Sequence, residues 1–192
     1  MNHKEYIEQS ERTEKKFPEG LELNTNQSAI LQILQLGGIN NGNCLDHLKK
    51  HLIYSGIDEL EMTSRVRLET VEAQKEAILK VETYESVDLS QQRAEALHAL
   101  IGIQTEVGEL AEALMPWIIG EEEKIDIHNL KEELGDSRWY EAILIRLFDL
   151  DTNEINQINI DKLKARYPEK FTTENAMNRD LDAEREILEG KG

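Results

Sequence analysis

Two stretches decide how this chain is read: QTEVGELAEAL, residues 104–114, and KEELGDSRWYEAILIRLF, residues 131–148. Each carries two acids three residues apart with a glycine just before the second, Glu106 and Glu109 around Gly108, and Glu133 and Asp136 around Gly135. Both lie in strongly helical, otherwise apolar text. At about 100° per residue, the apolar stripe of the second stretch is Leu130, Tyr140, Ile143, Leu144 and Leu147. Glu133 and Asp136 fall in the middle of that stripe, with Lys131, Arg138 and Arg146 on the other face. In the first stretch the stripe is Ala99, Leu100, Ile103, Val107, Leu110 and Leu114. Glu106 sits at its edge, and Glu109 and Glu112 continue beside it. Unpaired carboxylates on a core face are costly or stay protonated. A divalent cation removes both the desolvation and the mutual repulsion. All-oxygen ligands without nearby His or Cys point to Mg²⁺ or Mn²⁺ rather than zinc. The glycines, each costing about 1 kcal/mol in a helix, would let a helix or ligand approach closely. The alternative is a structural acid pair met by Arg or Lys from another helix. Spacing alone does not decide, since Glu69/Glu72, Glu82/Glu85 and Glu186/Glu189 repeat it on faces that read as solvated.

Outward from these stretches the text stays helical. The chain has 192 residues, three prolines, 5% aromatic and 39% apolar content, which suits an all-α protein with a real core. Helices are expected over 3–16, ending near Pro18 and Gly20, over 26–36, 44–56 and 58–83, and from Asp88 or Ser90 to Leu114, where Pro116 stops the run. The GGINNGN segment should break the first long helix, and Gly56 should close the next. Asn129 should cap a helix to about Phe148, a helical turn should follow around 159–166, and Thr172 or Thr173 should open a last helix to about Leu188. No convincing strand alternation is present.

A net charge of −17 argues against nucleic acid or an anionic membrane as partner, because phosphate backbones need a basic face. The single Cys44 cannot form an internal disulfide and fits a reducing compartment. With no apolar run of spanning length and no signal-like start, a cytoplasmic protein is expected. Against this acidic background IDKLKARYPEKF, residues 160–171, is basic, with Lys162, Lys164, Arg166 and Lys170 around Tyr167, followed by Asn175, Asn178 and Arg179. Alone it reads as an ordinary basic turn. Beside a carboxylate-bound metal it has what a polyphosphate requires: cations and fixed hydrogen-bond groups for the outer oxygens.

The ordered set TEVGEL, NLKEELGDSRWY and IDKLKARYPEKFTTENAMNRDLDAER, covering roughly 91–188, resembles the MazG-like all-α nucleoside triphosphate pyrophosphohydrolases, especially the small bacteriophage versions. The family mark, ExxE, a gap, then ExxD, falls here on Glu106, Glu109, Glu133 and Asp136. The opening EYIEQSERTE (5–14) resembles the Tyr…Arg-Thr helix of phage members. The resemblance implies a four-helix-bundle fold with extra N-terminal helices, assembly as a homodimer or homotetramer, and Mg²⁺-dependent hydrolysis of a (d)NTP to monophosphate and pyrophosphate. It implies that the four acids hold metal and that Lys162, Arg166, Tyr167, Asn178 and Arg179 bind the substrate. By analogy with relatives that include the MazZ-type branch, it favours dGTP or dATP, in the host cytoplasm for a phage-encoded chain. The domain reading is 1–86 as an N-terminal helical region and 87–192 as the catalytic domain. Within the former, LGGINNGNCLDHLKKHLIYSGID can be laid on the acid text, with Asn40, Asn43 and Asp46 falling on Glu106, Glu109 and Glu112. A degenerate copy and an unrelated helical insert are both open. The rival readings are a non-enzymatic helical interaction protein with structural acid pairs, and a relative acting on dUTP or phosphoribosyl-ATP.

Overall fold

The computed structural model describes residues 2–13, 21–52, 57–80 and 86–190. Among these are eight α-helices: α1 (His3–Ser10), α2 (Thr25–Leu52), α3 (Glu59–Lys80), α4 (Gln91–Ile118), α5 (Ile127–Leu147), α6 (Thr152–Arg166), α7 (Thr173–Met177) and α8 (Leu181–Leu188). A 3-10 turn at Glu11–Thr13 extends α1, and two three-residue strands, β1 (Leu21–Leu23) and β2 (Val87–Leu89), pair with each other. The all-α expectation holds. Strands this short carry no alternation, so the sequence held no signal for them. The expected stops at Pro18, Gly20 and Gly56 lie outside the described residues.

The chain forms two compact units, each drawn from two segments: 1–22 with 88–152, and 23–87 with 153–192. In the first, α4 and α5 form the principal helix pair and α1 packs on α5. Tyr6 donates its hydroxyl to the Gly135 carbonyl at 3.2 Å, and Trp139 Nε1 donates to Thr13 Oγ1 at 2.9 Å. The opening helix is therefore tied to the helix that carries Glu133. The buried core of this unit is small, made of Ala94, Ala99, Ala142 and Ile143. Small residues let α4 and α5 approach closely, and the tightest point is Gly102, where an added Cβ would overlap the Tyr140 ring. Tyr140 is itself wedged edge-on against Trp139 and His98, with ring centroids 4.9 and 5.5 Å away. In the second unit α2 pairs with α3.

Several boundaries differ from the sequence reading. Helix α2 runs unbroken through GGINNGN. Glycine and asparagine only weaken a helix, and packing on α3 decides the outcome: Cys44 Sγ reaches the Val66 carbonyl at 3.9 Å and Asn43 Nδ2 donates to Glu69 at 3.0 Å. Helix α4 passes through Pro116 and ends two residues later at Ile118, so the hydrogen bond the ring forfeits and its crowding of the carbonyl one turn back fall in the last turns of the helix. The turn comes at Gly120, whose φ of 79° suits glycine, and Glu121 N donates to the Pro116 carbonyl at 2.8 Å. Asp126, not Asn129, caps α5, accepting from His128 N and Asn129 N at 2.9 and 3.2 Å. Helix α6 begins at Thr152, well before the expected turn. The last helix is split: Asn178 leaves helical geometry and Asp180 caps a separate α8 through Ala183 N. The shift that lays the start of α2, Thr25, on the start of α4, Gln91, also lays Asn40, Asn43 and Asp46 on Glu106, Glu109 and Glu112.

Gly108 and Gly135, expected to permit close approach, have open space where a Cβ would stand; Gly102 does that work instead. Gly102→Ala should destabilise the metal-free protein by about 1–3 kcal/mol, since the packed Tyr140 ring must shift. Gly108→Ala should be neutral or stabilising by up to about 1 kcal/mol. Urea unfolding of the two variants reads the difference; equal effects would show that α4 and α5 do not meet at Gly102.

Candidate active site

Glu106 and Glu109 project from α4, and Glu133 from α5, in the unit where these helices pair. One carboxylate oxygen of each lies within 4.8 Å of the others. Glu106 and Glu133 are buried, at 7% and 6% exposure, while Glu109 is exposed. The sequence reading of Glu133 as core-facing is met. Asp136, expected in the same stripe, is instead exposed and stands outside the triad. A helical wheel gives a face but not the exposure of each residue on it: Glu133 is buried and Asp136, three residues on, is exposed. Leu100 and Val107, expected in the apolar stripe of α4, are exposed as well.

The electrostatics follow from this crowding. Burial raises the Glu106 carboxyl above its ordinary value; Glu109 and Asp136 push the same way, against weaker opposing hydrogen bonds from Thr105 and Glu133. Burial also raises Glu133, followed by the charge of Glu109, a hydrogen bond with it, and the charges of Glu106 and Glu132. Glu133 Oε2 is buried with no hydrogen-bond partner among the described residues. Such an atom costs free energy unless something fills the gap. Among the described residues no lysine or arginine makes an ion pair with Glu106, Glu109 or Glu133. Three hard oxygen donors, one of them unsatisfied, are the donor chemistry of a divalent cation, and the residues present fit one.

Two groups that the sequence analysis did not single out border the acids. Tyr140 has its hydroxyl pKa raised by burial and then by Glu106, Asp136 and Glu109, so it stays a proton donor. Tyr6 is raised by burial and Asp136. Their signal was present as aromatic residues one turn from an acid or in the opening helix, but aromatic residues on helix faces are ordinarily core.

The proposed substrate-binding residues lie in the other unit. Lys162 and Arg166 are on α6, Tyr167 directly after it, and Asn178 and Arg179 between α7 and α8. The structure brings three of them together. Arg166 lies 5.8 Å from the Tyr167 ring centroid, and both arginines bind the buried Glu184, which the sequence reading did not mark. Lys162 and Tyr167 are half-buried and Asn178 is exposed.

The two kinds of shifted carboxyl act on stability with opposite sign. For Glu106 and Glu133, folded values lie above the ordinary 4.5. Their favourable contribution is present below that value and is lost as pH rises through the raised ones. Glu184 is held down to about 2 by Arg179 and Arg166, so its contribution is complete above the ordinary value and is lost only in strong acid. From the ordinary 4.5 up through the raised values, the raised pair governs. Metal-free protein should therefore melt at lower temperature as pH rises across this window. Millimolar Mg²⁺ should raise the melting temperature by several degrees, more at the higher pH, and Glu133→Gln should flatten both responses. Calorimetry across this range checks it; a Mg²⁺ response that is equal in Glu133→Gln would remove Glu133 from the site.

No curated protein and no solved structure matches the chain. A family model does: residues 92–171 match the MazG nucleotide pyrophosphohydrolase domain. The match includes all four sequence-marked acids together with Lys162, Arg166 and Tyr167, and ends before Asn178, Arg179 and Glu184. It decides for an enzyme over the non-enzymatic interaction protein, and divalent-metal dependence is typical of the family. Among the described residues no helix is long and apolar enough to cross a membrane. With its acid triad at the pairing of α4 and α5, the 92–171 segment is a MazG nucleotide pyrophosphohydrolase domain, that of a nucleoside triphosphate pyrophosphohydrolase acting on an acid anhydride.

Proposed function

We propose that the protein is a Mg²⁺-dependent enzyme that converts a purine deoxynucleoside triphosphate, dGTP or dATP, to its monophosphate and pyrophosphate. The observation that carries the metal assignment is the triad itself, with Glu133 Oε2 unpartnered among the described residues. Glu106, Glu109 and Glu133 would hold Mg²⁺, with Asp136 adding its charge from the exposed side. When bound, the ion supplies charge neutralisation on the phosphates and activation of water. One of the two solvent-facing acids, Glu109 or Asp136, takes the proton of the water that attacks the α-phosphorus. Tyr140 remains protonated and can donate to an oxygen on which charge develops. Lys162, Arg166, Tyr167, Asn178 and Arg179 bind the outer phosphates and carry the pyrophosphate as one leaving unit. The purine preference rests on the resemblance to phage relatives, and pyrophosphate release from the eight common nucleotides, dUTP and phosphoribosyl-ATP tests it. Homodimers or homotetramers are part of the same proposal, supported by exposed Leu100, Ile101, Val107 and Trp117 on α4.

Hydrolysis in ¹⁸O-water should place label in the monophosphate; label confined to pyrophosphate would move attack to the β-phosphorus, and inorganic phosphate as first product would defeat the assignment. Glu133→Gln and Asp136→Asn should each lower turnover by at least about 100-fold while retaining the helical circular-dichroism spectrum. Near-wild-type turnover in folded Glu133→Gln would sink the metal site. The same result in Asp136→Asn alone would confine the metal to the triad.

A further inference from the structure

Glu184 lies on α8, outside the matched domain, and is 5% exposed. It accepts from two arginines at once. Arg166 donates from Nε to Oε1 at 2.8 Å and from Nη2 to Oε2 at 2.7 Å. Arg179 donates from Nε to Oε1 at 3.2 Å and from Nη2 to Oε2 at 2.6 Å. Both guanidiniums thus present the same edge to one carboxylate in bidentate geometry, the strongest and most directional form of this contact. A structural ion pair needs one arginine. Two arginines on one carboxylate leave a surplus positive charge, in a chain whose net charge is −17. Each guanidinium has five N–H donors, of which Glu184 takes two. The Tyr167 ring lies beside Arg166 and packs on Phe171 at 5.4 Å, which fixes that guanidinium further. The Arg166 side chain is 16% exposed and that of Arg179 45%, so the second guanidinium has an open side.

The geometry points to Glu184 as a positioning residue that aligns Arg166 and Arg179 as a two-guanidinium clamp for the outer phosphates, a role that rests on the phosphate-binding assignment of the arginines proposed above. Arginine side chains carry large rotamer freedom, and holding them ready removes part of that cost from binding. The ligand class is a di- or triphosphate whose adjacent phosphoryl groups meet the two guanidiniums.

Hydrolysis kinetics and pyrophosphate inhibition of the full-length protein test this in Glu184→Gln, Glu184→Asp, Arg166→Ala and Arg179→Ala. Glu184→Gln keeps the shape but turns an amide donor toward the guanidiniums. It should raise KM about tenfold and weaken pyrophosphate inhibition by the same factor, with a smaller change in kcat, as losing one charge-assisted bond would. Glu184→Asp, which keeps both oxygens, should recover part of the loss. A Glu184→Gln protein that melts at lower temperature but keeps both constants would overturn the positioning role. If Glu184→Gln does not fold, Glu184→Asp carries the same comparison, and unchanged constants there overturn it equally. If the arginine variants also leave both constants unchanged, the phosphate-binding assignment falls too. Raised constants in the arginine variants alone leave that assignment standing and remove only Glu184.

Discussion

Three carboxylates from two facing helices, two of them withdrawn from water, set the terms for the α4–α5 pair. Burial and like charge act in the same direction on Glu106 and Glu133. The helix pair is held together against this repulsion by contacts that are mostly small. Ala99, Ala142 and Ile143 bury fully, and Gly102 receives the Tyr140 ring. Residues three and four apart lie on the same side of a helix. Gly102 and Glu106 on α4, and Asp136 and Tyr140 on α5, are therefore neighbours along their helices. The closest helix approach and the acid triad are consequences of one local geometry. Opening the helices to relieve the acids would forfeit the contacts of Trp139 and Tyr140 with His98 and of Tyr140 with Gly102.

The opening helix belongs to the same arrangement. Tyr6 reaches the carbonyl of Gly135, between Glu133 and Asp136, and Thr13 accepts from Trp139. A helix of eight residues is marginal alone. Its capping box at Asn2 and Glu5 and these two long-range bonds give it reasons to form and stay on α5. The far N-terminus thereby supports a site more than a hundred residues away in sequence.

Much of this was legible before the structure, and the failures share a cause. Periodicity placed α3, α4 and α5, and the Ser90 cap was visible because a hydroxyl before helical text has one common use. The acid at 133 was correctly placed in the core because a helical wheel is sound for a helix covered along that turn. It failed for Asp136, which is exposed although Tyr140, Ala142 and Ile143 beyond it pack inward. Gly108 and Gly135 drew attention because they sit among acids, yet the glycine that matters for packing is Gly102, whose neighbour is distant in sequence. Local propensity alone argued for a break at GGINNGN, but the contacts of Asn43 and Cys44 with α3 keep α2 continuous. Glu184 was hidden among the many acids of an acidic C-terminus, since nothing in its spacing distinguishes a carboxylate that will meet two arginines from one that will meet water.

The two units carry opposite charge imbalances at their polar centres. The triad gathers three acids, and the Glu184 cluster gathers two bases on one acid. Each imbalance is a cost that the described side chains leave in place. A cation relieves the first and an anion the second. The two demands are separate: the triad asks for a divalent cation, and the guanidinium pair asks for an anion whose oxygens can meet two planar forks.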